Sequence, residues 1–453
     1  MLPQLRSLFN RFGRAGHRDG PFPVDRVISL LLFAGGLYVY SITLAPSLLE
    51  GDGALFQYTP YVLGVTYPTG FPLYILLGKL WLSLLPLGEI AWRMNFFSAL
   101  CSATTLPFLY NATRRFYALS PPAPGLDPAR WAGLITTLTL ATMPTFWLWS
   151  TVTKTYALNL LLLTWLLYLL AGGLAEPAAA GRRSPLLLPA LLLGLQISVH
   201  NTALLLGPGL FLLAWLHFRP VLATWPARFQ HLLLLAGPGL FYLYIPLRAD
   251  WLIARYGREE AIARGLLADF YRPGWPGLLR YFTAADFTGG VVTNWGQVPG
   301  QFFSHYLPLL TANFPPVVAL AGLIGGLGLA GYRPRLFWPF FLIYALPIPF
   351  VLAYGQGEQA AFLLPSFLIF SLFIGYNALL VPRLLLAATA RTRLDRPSLR
   401  RFAGQVGPPL LAVAFALFLF YPQSRANFNW LEAKWSRPTF AEWADNLNHP
   451  LEP

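Results

Sequence analysis

The sequence predicts an all-α polytopic membrane protein with about eleven transmembrane helices, on the strength of its composition and its hydropathy pattern. Of its 453 residues 56% are hydrophobic, 16% aromatic and only 11% charged, with a mean hydropathy of +0.53. A soluble chain of this length needs more charge to cover its surface, whereas lipid accepts Leu, Phe and Trp directly. The pattern is a series of apolar windows, each long enough to cross roughly 30 Å of hydrocarbon.

In chain order the windows fall near 27–45, 93–113, 131–149, 155–173, 185–200, 202–218, 231–247, 314–331, 336–354, 361–386 and 407–421. A basic segment, 1–26, precedes the first, which is too long and too poor in small residues for a cleaved signal and reads as a retained anchor. Between the first two windows lies an outer loop, 46–92. Its apolar part, 71–87, is interrupted by Pro72, Lys79 and Pro86 and reads as interfacial or re-entrant helix. A second outer loop, 248–306, mixes Arg255, Glu259 and Asp269 with Trp275, Tyr281 and Phe287, and a connection of that length with that aromatic content reads as an ordered cap. The tail, 422–453, carries a capping box at Thr439-Phe440-Ala441-Glu442, the start of an interfacial amphipathic helix.

Charge sets the orientation. With the amino terminus cytoplasmic, most of the 32 Lys and Arg fall on the inside segments, among them Arg14, Arg114, Arg183, Arg333 and Arg401, while most of the 18 Asp and Glu fall outside. The positive-inside rule then places the carboxyl-terminal tail and both long loops on the extracytoplasmic face of a cell membrane. The net charge of +14 is explained by this topology, because the basic residues are scattered between apolar spans rather than gathered into a nucleic-acid patch. One cysteine, Cys101, excludes a disulfide framework and a Cys-based zinc site. No phosphate-binding loop, dinucleotide fingerprint or metalloprotease helix is present.

Against that background Asp52 stands out, a carboxylate in an outer loop between Gly51 and Gly53, followed by Tyr67, Pro68, Gly70 and Pro72. Aspartate beside glycine is common in turns. A carboxylate held at a membrane surface is also what takes a proton from an incoming hydroxyl. The run from Gly51 to Tyr74, with Val152 to Asn159 (VTKTYALN), Gly194 to Thr202 (GLQISVHNT), Tyr242 to Arg248 (YLYIPLR), Asn294-Trp295-Gly296, and Glu358 ahead of Phe362-Leu363-Leu364-Pro365, resembles a membrane family labelled domain of unknown function 2723. That family includes a eukaryotic protein O-mannosyltransferase of the secretory pathway and is similar to the glycosyltransferase C superfamily. The resemblance implies a glycosyltransferase C-like fold, a lipid-phosphate sugar donor and an acidic residue in the first outer loop. The chain departs from the family pattern at Leu55, Tyr67 and Lys154, where an acid, a histidine and an acid are the family's residues.

The chemistry this implies is economical. A glycosyl phosphate already contains its leaving group, so transfer to a hydroxyl needs one base on the acceptor and positive charge on the departing phosphate. Asp52 is the candidate base. Arg248, His200, Lys154 and Tyr156 are candidates for the donor phosphate or sugar, and Glu358, Tyr67 and Glu50 for the acceptor or accessory roles. For Arg248 and Lys154 anchoring to lipid headgroups is the alternative. No cofactor is required, although Asp52 with Glu50 or Glu358 offers oxygens to a divalent cation. The expected activity is inverting transfer of mannose or another hexose from a polyprenyl phosphate to a protein or glycolipid hydroxyl at the outer face. The alternative is a transporter or flippase of lipid-linked sugars, which would place charge near the middle of spans rather than at their outer ends.

Overall fold

The structure is a computed structural model that describes residues 24–118, 127–175, 184–287, 295–355, 358–391 and 406–435. The basic segment before residue 24, Asn294, the Gln356–Gly357 part of the Glu358 turn, and the Thr439–Glu442 capping box lie outside the described residues. The described chain is helical, and its one β-type pairing is the isolated bridge between Val65 and Leu267.

The first half of the chain contains α1 (Val24–Ile42), α2 (Asp52–Val62), α3 (Pro72–Leu84), α4 (Ile90–Tyr117), α5 (Pro128–Thr142), α6 (Pro144–Thr151), α7 (Thr155–Ala175) and α8 (Leu187–Val199). Next come α9 (Gly207–Phe218), α10 (Trp225–Ala236), α11 (Tyr244–Tyr256), α12 (Arg258–Ala263) and α13 (Gly274–Thr283). The last labelled helices are α14 (Pro316–Tyr332), α15 (Pro334–Ala345), α16 (Pro347–Tyr354) and α17 (Leu364–Arg391). Six helices among the described residues are long and apolar enough to cross a membrane, or seven if Trp295–Asn313 and α14, bent by 98° at Pro315, form one span. The protein is therefore a multi-pass membrane protein. The other four windows fold as the polar-faced α4, the α5–α6 pair, the short α8 and the 407–420 helix.

Proline accounts for the break in the third window. Met143 is extended before Pro144, as the clash with a following proline ring demands, so one apolar stretch becomes two helices. The start of α5 is capped conventionally: the Asp127 side chain accepts from the Ala129 N–H at 3.0 Å and Pro128 occupies the first turn.

Helix α4 is the hub. It packs against α1, α5, α6, α7 and α3, and buries Asn95, Ser98, Ser102, Thr105 and Thr113, polar residues that lipid would not accept. Helix α17 is almost wholly inside the bundle, against α14 and α5. The segments that the charge pattern puts on one side do meet at one end. There Asp25 accepts from Tyr110 Oη at 2.6 Å, Arg130 Nε at 3.0 Å and Arg114 Nη2 at 2.9 Å, and Arg333 Nη1 donates to the Phe116 carbonyl at 2.7 Å.

Two boundaries differ from the sequence reading. The window ending at 247 runs on as helix to Tyr256 in an unbroken stretch from Trp225, so Arg248 sits within a helix rather than at its end. The segment after 421 is helix to Trp435 and docks on the bundle, with Gln423 donating to the Asn313 carbonyl and Asn427 to that of Thr142.

A candidate transferase site at one end of the bundle

Asp52 opens α2, with Gly51 at a positive φ of 58° before it. Its carboxylate therefore lies at the amino terminus of a helix, where the peptide dipoles favour negative charge. The helix ends at Leu63, and the loop 63–71 carries Gly70 at φ 78° and Phe71 at φ 45°. The positive φ of Gly70 is what calls for glycine there, and a Cβ would in addition press on Ile245 Cδ1 at 2.5 Å. The same loop is pinned to the cap. Val65 N–H donates to the Leu266 carbonyl and Ala268 N–H to that of Val65, both at 2.8 Å, over a small core of Tyr242, Ile245, Leu252, Tyr271 and Tyr281. This fixes Tyr67, whose hydroxyl donates to Asp52 Oδ2 at 2.8 Å. Burial, then the neighbouring carboxylate, holds the Tyr67 phenol well above its ordinary pKa, so it remains a donor.

Lys154 reaches the same carboxylate from the extended 152–154 link between α6 and α7. Its Nζ is 3.0 Å from Asp52 Oδ2, 3.0 Å from Glu358 Oε1 and 3.1 Å from Glu358 Oε2, and the side chain is 4% exposed. Tyr156 Oη donates to Glu358 Oε2 at 2.7 Å. Both oxygens of Glu358 are thus engaged, whereas Asp52 Oδ1 accepts no hydrogen bond among the described residues.

His200 lies in the break between α8 and the 3₁₀ turn that follows. Its Nδ1 is the acceptor for Thr202 N–H at 3.4 Å and faces Thr202 Oγ1 at 2.8 Å, which leaves Nε2 as the donor of a neutral ring. Burial, and secondarily Lys154, pushes His200 down to about 4. Because an unfolded His titrates near 6.5, the folded state binds fewer protons between these values. Its contribution is complete above pH 6.5 and is lost as pH falls towards 4, on the order of 3 kcal/mol. Melting followed from pH 7.5 to 4.5 should therefore fall more steeply in the wild type than in His200→Asn.

Asp52, Tyr67, Lys154, Tyr156, His200 and Glu358 line one cavity of about 480 Å³, completed by Phe56, Phe71, Phe270, Phe287, Tyr354 and Phe362. Sequence separation between these six polar groups reaches from α2 to the turn before α17. Arg248 and Glu50 are not in this lining. Glu50 is exposed. Arg248 donates from Nε to the Leu63 carbonyl at 2.7 Å and from Nη2 to that of Val62 at 3.0 Å, and stacks on Trp251. It caps the carboxyl end of the Asp52 helix. Arg248→Met should lower stability by about 1–3 kcal/mol through the two unpaired carbonyls, read as a fall in melting temperature.

Two residues that the sequence reading passed over organise the centre. Asn95 is fully buried; its Oδ1 accepts from Gln57 Nε2 at 3.1 Å and from Thr153 N–H at 3.0 Å, and its Nδ2 donates to the Ala45 carbonyl at 2.9 Å. Gln57 in turn accepts from Leu49 N–H at 2.9 Å. One amide thus ties the Asp52 helix to the residue before Lys154. An asparagine inside an apolar window was the available signal.

The donor set does not resemble a preformed metal centre. Among the described residues no group of three or more His, Cys, Asp or Glu converges, and Lys154 stands between the two carboxylates of the cavity lining, Asp52 and Glu358.

Residues 52–221 match the family described as the amino-terminal domain of the protein O-mannosyl-transferase TMEM260. The chain is 28% identical over 250 residues to protein O-mannosyl-transferase TMEM260 of Mus musculus, covering 54% of this chain and 34% of that protein. To the Dictyostelium discoideum protein of the same name it is 23% identical over 142 residues, 31% of this chain and 16% of that one. The chain thus spans about a third or less of the length of these curated relatives. Among solved structures it is similar to the archaeal oligosaccharyltransferase AglB from Archaeoglobus fulgidus, in complex with an inhibitory peptide and a dolichol-phosphate, with a TM-score of 0.52 at 13% identity over 94% of this chain and 60% of that chain. The chain therefore shares the membrane fold of this archaeal oligosaccharyltransferase and, over residues 52–221, is similar to the amino-terminal domain of the protein O-mannosyl-transferases.

Proposed function

We propose that this protein is a membrane glycosyltransferase that moves a hexose, mannose first among the candidates, from a polyprenyl monophosphate to a hydroxyl of a protein or glycolipid acceptor at the extracytoplasmic face. The observation that carries the reading is the Asp52 carboxylate, whose Oδ1 accepts no hydrogen bond among the described residues, in the lining of a cavity that also holds Lys154 and His200. Its volume lies within the usual range for small-molecule sites, roughly 300–1,000 Å³.

In the proposed reaction Asp52 Oδ1 takes the acceptor hydroxyl proton as that oxygen attacks the anomeric carbon. The carbon–oxygen bond to phosphate breaks on the opposite face, its electron pair leaves with the phosphate, and the configuration inverts. Lys154 and the Nε2–H of a neutral His200 face the charge that develops on the leaving group. Asp52 then returns its proton to water. Tyr67 holds Oδ2 so that Oδ1 keeps one direction. Tyr156 and Glu358 set the position of Lys154, and the aromatic rings offer flat apolar faces to the sugar. The dolichol-phosphate held by the archaeal neighbour and the O-mannosyl-transferase name of the relatives support this choice of donor and reaction.

The test is transfer by the purified chain in lipid nanodiscs, with synthetic polyprenyl-phosphate hexoses and membrane extract as acceptor, read by mass spectrometry. A covalent hexose adduct together with release of polyprenyl phosphate is expected. Movement of intact donor across a bilayer without any adduct would replace the transferase by a flippase.

A further inference from the structure

The environment of Lys154 is that of a bound cation. Its Nζ is 3.0 Å from Asp52 Oδ2 and 3.0 Å from Glu358 Oε1, and lies 5.4 Å from the centroid of the Phe56 ring and 5.8 Å from that of Trp149. Two carboxylates and two aromatic rings converge on a single charge that is 4% exposed. The oxygens that flank Nζ belong to carboxylates, the ligand type that a hard divalent ion takes. An ammonium is a compact point charge with three donors, and here they meet one oxygen of Asp52 and both oxygens of Glu358. Two contacts thus go to one carboxylate, so one donor can turn to an oxygen entering the cavity while both ion pairs persist.

We propose that Lys154 is a built-in counter-ion occupying the place a divalent cation would otherwise take between Asp52 and Glu358, so that sugar transfer in this chain is independent of metal. The inference rests on the transferase reading for its catalytic consequence and on the geometry alone for its binding consequence. Arriving phosphate takes over one of the two contacts that Nζ makes to Glu358. As the phosphate departs it gains charge, and the ammonium beside it neutralises that gain with no dissociable partner to lose. Glu358, held by Tyr156, keeps the ammonium from following the product out.

Removal of the ammonium leaves two carboxylates facing a hole. Lys154→Ala should lose transfer by roughly 100-fold, the scale of deleting one transition-state charge partner, and millimolar Mn²⁺ should restore at least tenfold of it. Wild type should be indifferent to EDTA. Binding is read separately, without substrate. Mn²⁺ should raise the melting temperature of Lys154→Ala, leave wild type and Lys154→Arg unmoved, and lose its effect in Lys154→Ala combined with Glu358→Gln. Wild-type transfer that collapses in EDTA and returns with Mn²⁺ overturns the proposal. So does a Lys154→Ala protein whose melting ignores Mn²⁺. Should that variant fail to accumulate, the EDTA response of wild type decides the matter on its own. A melting shift in the variant without transfer by any form of the protein would uphold the cation site and overturn the transferase reading instead.

Discussion

Asp52→Asn is expected to slow transfer by about 1,000-fold, the middle of the range for loss of a positioned general base, with little change in melting. The separation of the two effects follows from the geometry. An asparagine oxygen still accepts from Tyr67 Oη, and the lost ion pair involves a carboxylate that is 51% exposed, where pairs contribute about 1 kcal/mol or less. Glu358 is the natural rival for the role of base. Both of its oxygens are occupied by Lys154, and Oε2 also by Tyr156, so an acceptor hydroxyl finds no open lone pair of good direction there. Glu358→Gln should therefore affect binding of the donor more than the chemical step. Single-turnover rates at saturating donor, beside the donor dissociation constant, distinguish the two. An Asp52→Asn protein within tenfold of the wild-type rate would remove Asp52 from the mechanism.

The parts of this site legible in the sequence were those written locally. Asp52 between glycines, Lys154 and Tyr156 in a short turn, His200 at a helix break and Glu358 ahead of an apolar run each announce charge or polarity at the end of a span, and the cavity gathers them. Arg248 looked similar and behaves differently. Hydropathy falls at Arg248, yet the helix continues to Tyr256, because the guanidinium finds the carbonyls of Val62 and Leu63 from a distant part of the chain. The bridge between Val65 and Leu267 is illegible for the same reason. Neither strand segment carries a pairing pattern, and a single bridge is chosen by the packing of Ile245, Leu252 and Tyr281 around it. Periodicity reports which face a helix buries, not which partner it meets.

Asn95→Ala is the change expected to do most damage without touching a substrate. Asn95 lies outside the cavity lining, yet its side chain satisfies Gln57 Nε2, the Thr153 N–H and the Ala45 carbonyl, all within the bundle. Truncation strands the Thr153 N–H and the Ala45 carbonyl where water does not reach, at about 1–3 kcal/mol each when unpaired, while Gln57 Nε2 keeps the Ser47 carbonyl at 3.2 Å. A loss of about 2–6 kcal/mol in stability is expected, read by denaturant or thermal unfolding in detergent. The kinetic consequence is more specific. Thr153 immediately precedes Lys154, and Gln57 lies on the helix that Asp52 begins, so releasing both lets the base and the ammonium drift independently. Among molecules that remain folded, kcat should fall by about 100-fold, as a misplacement near 1 Å does, while the apparent affinity for acceptor changes little. Asn95→Asp keeps the acceptor for Gln57 and Thr153 and loses the donor to Ala45, so it should recover part of kcat before it recovers stability. A folded Asn95→Ala fraction with wild-type kcat would mean that the Asp52–Lys154 distance is held by the ion pair itself, and that the buried amide serves the fold alone.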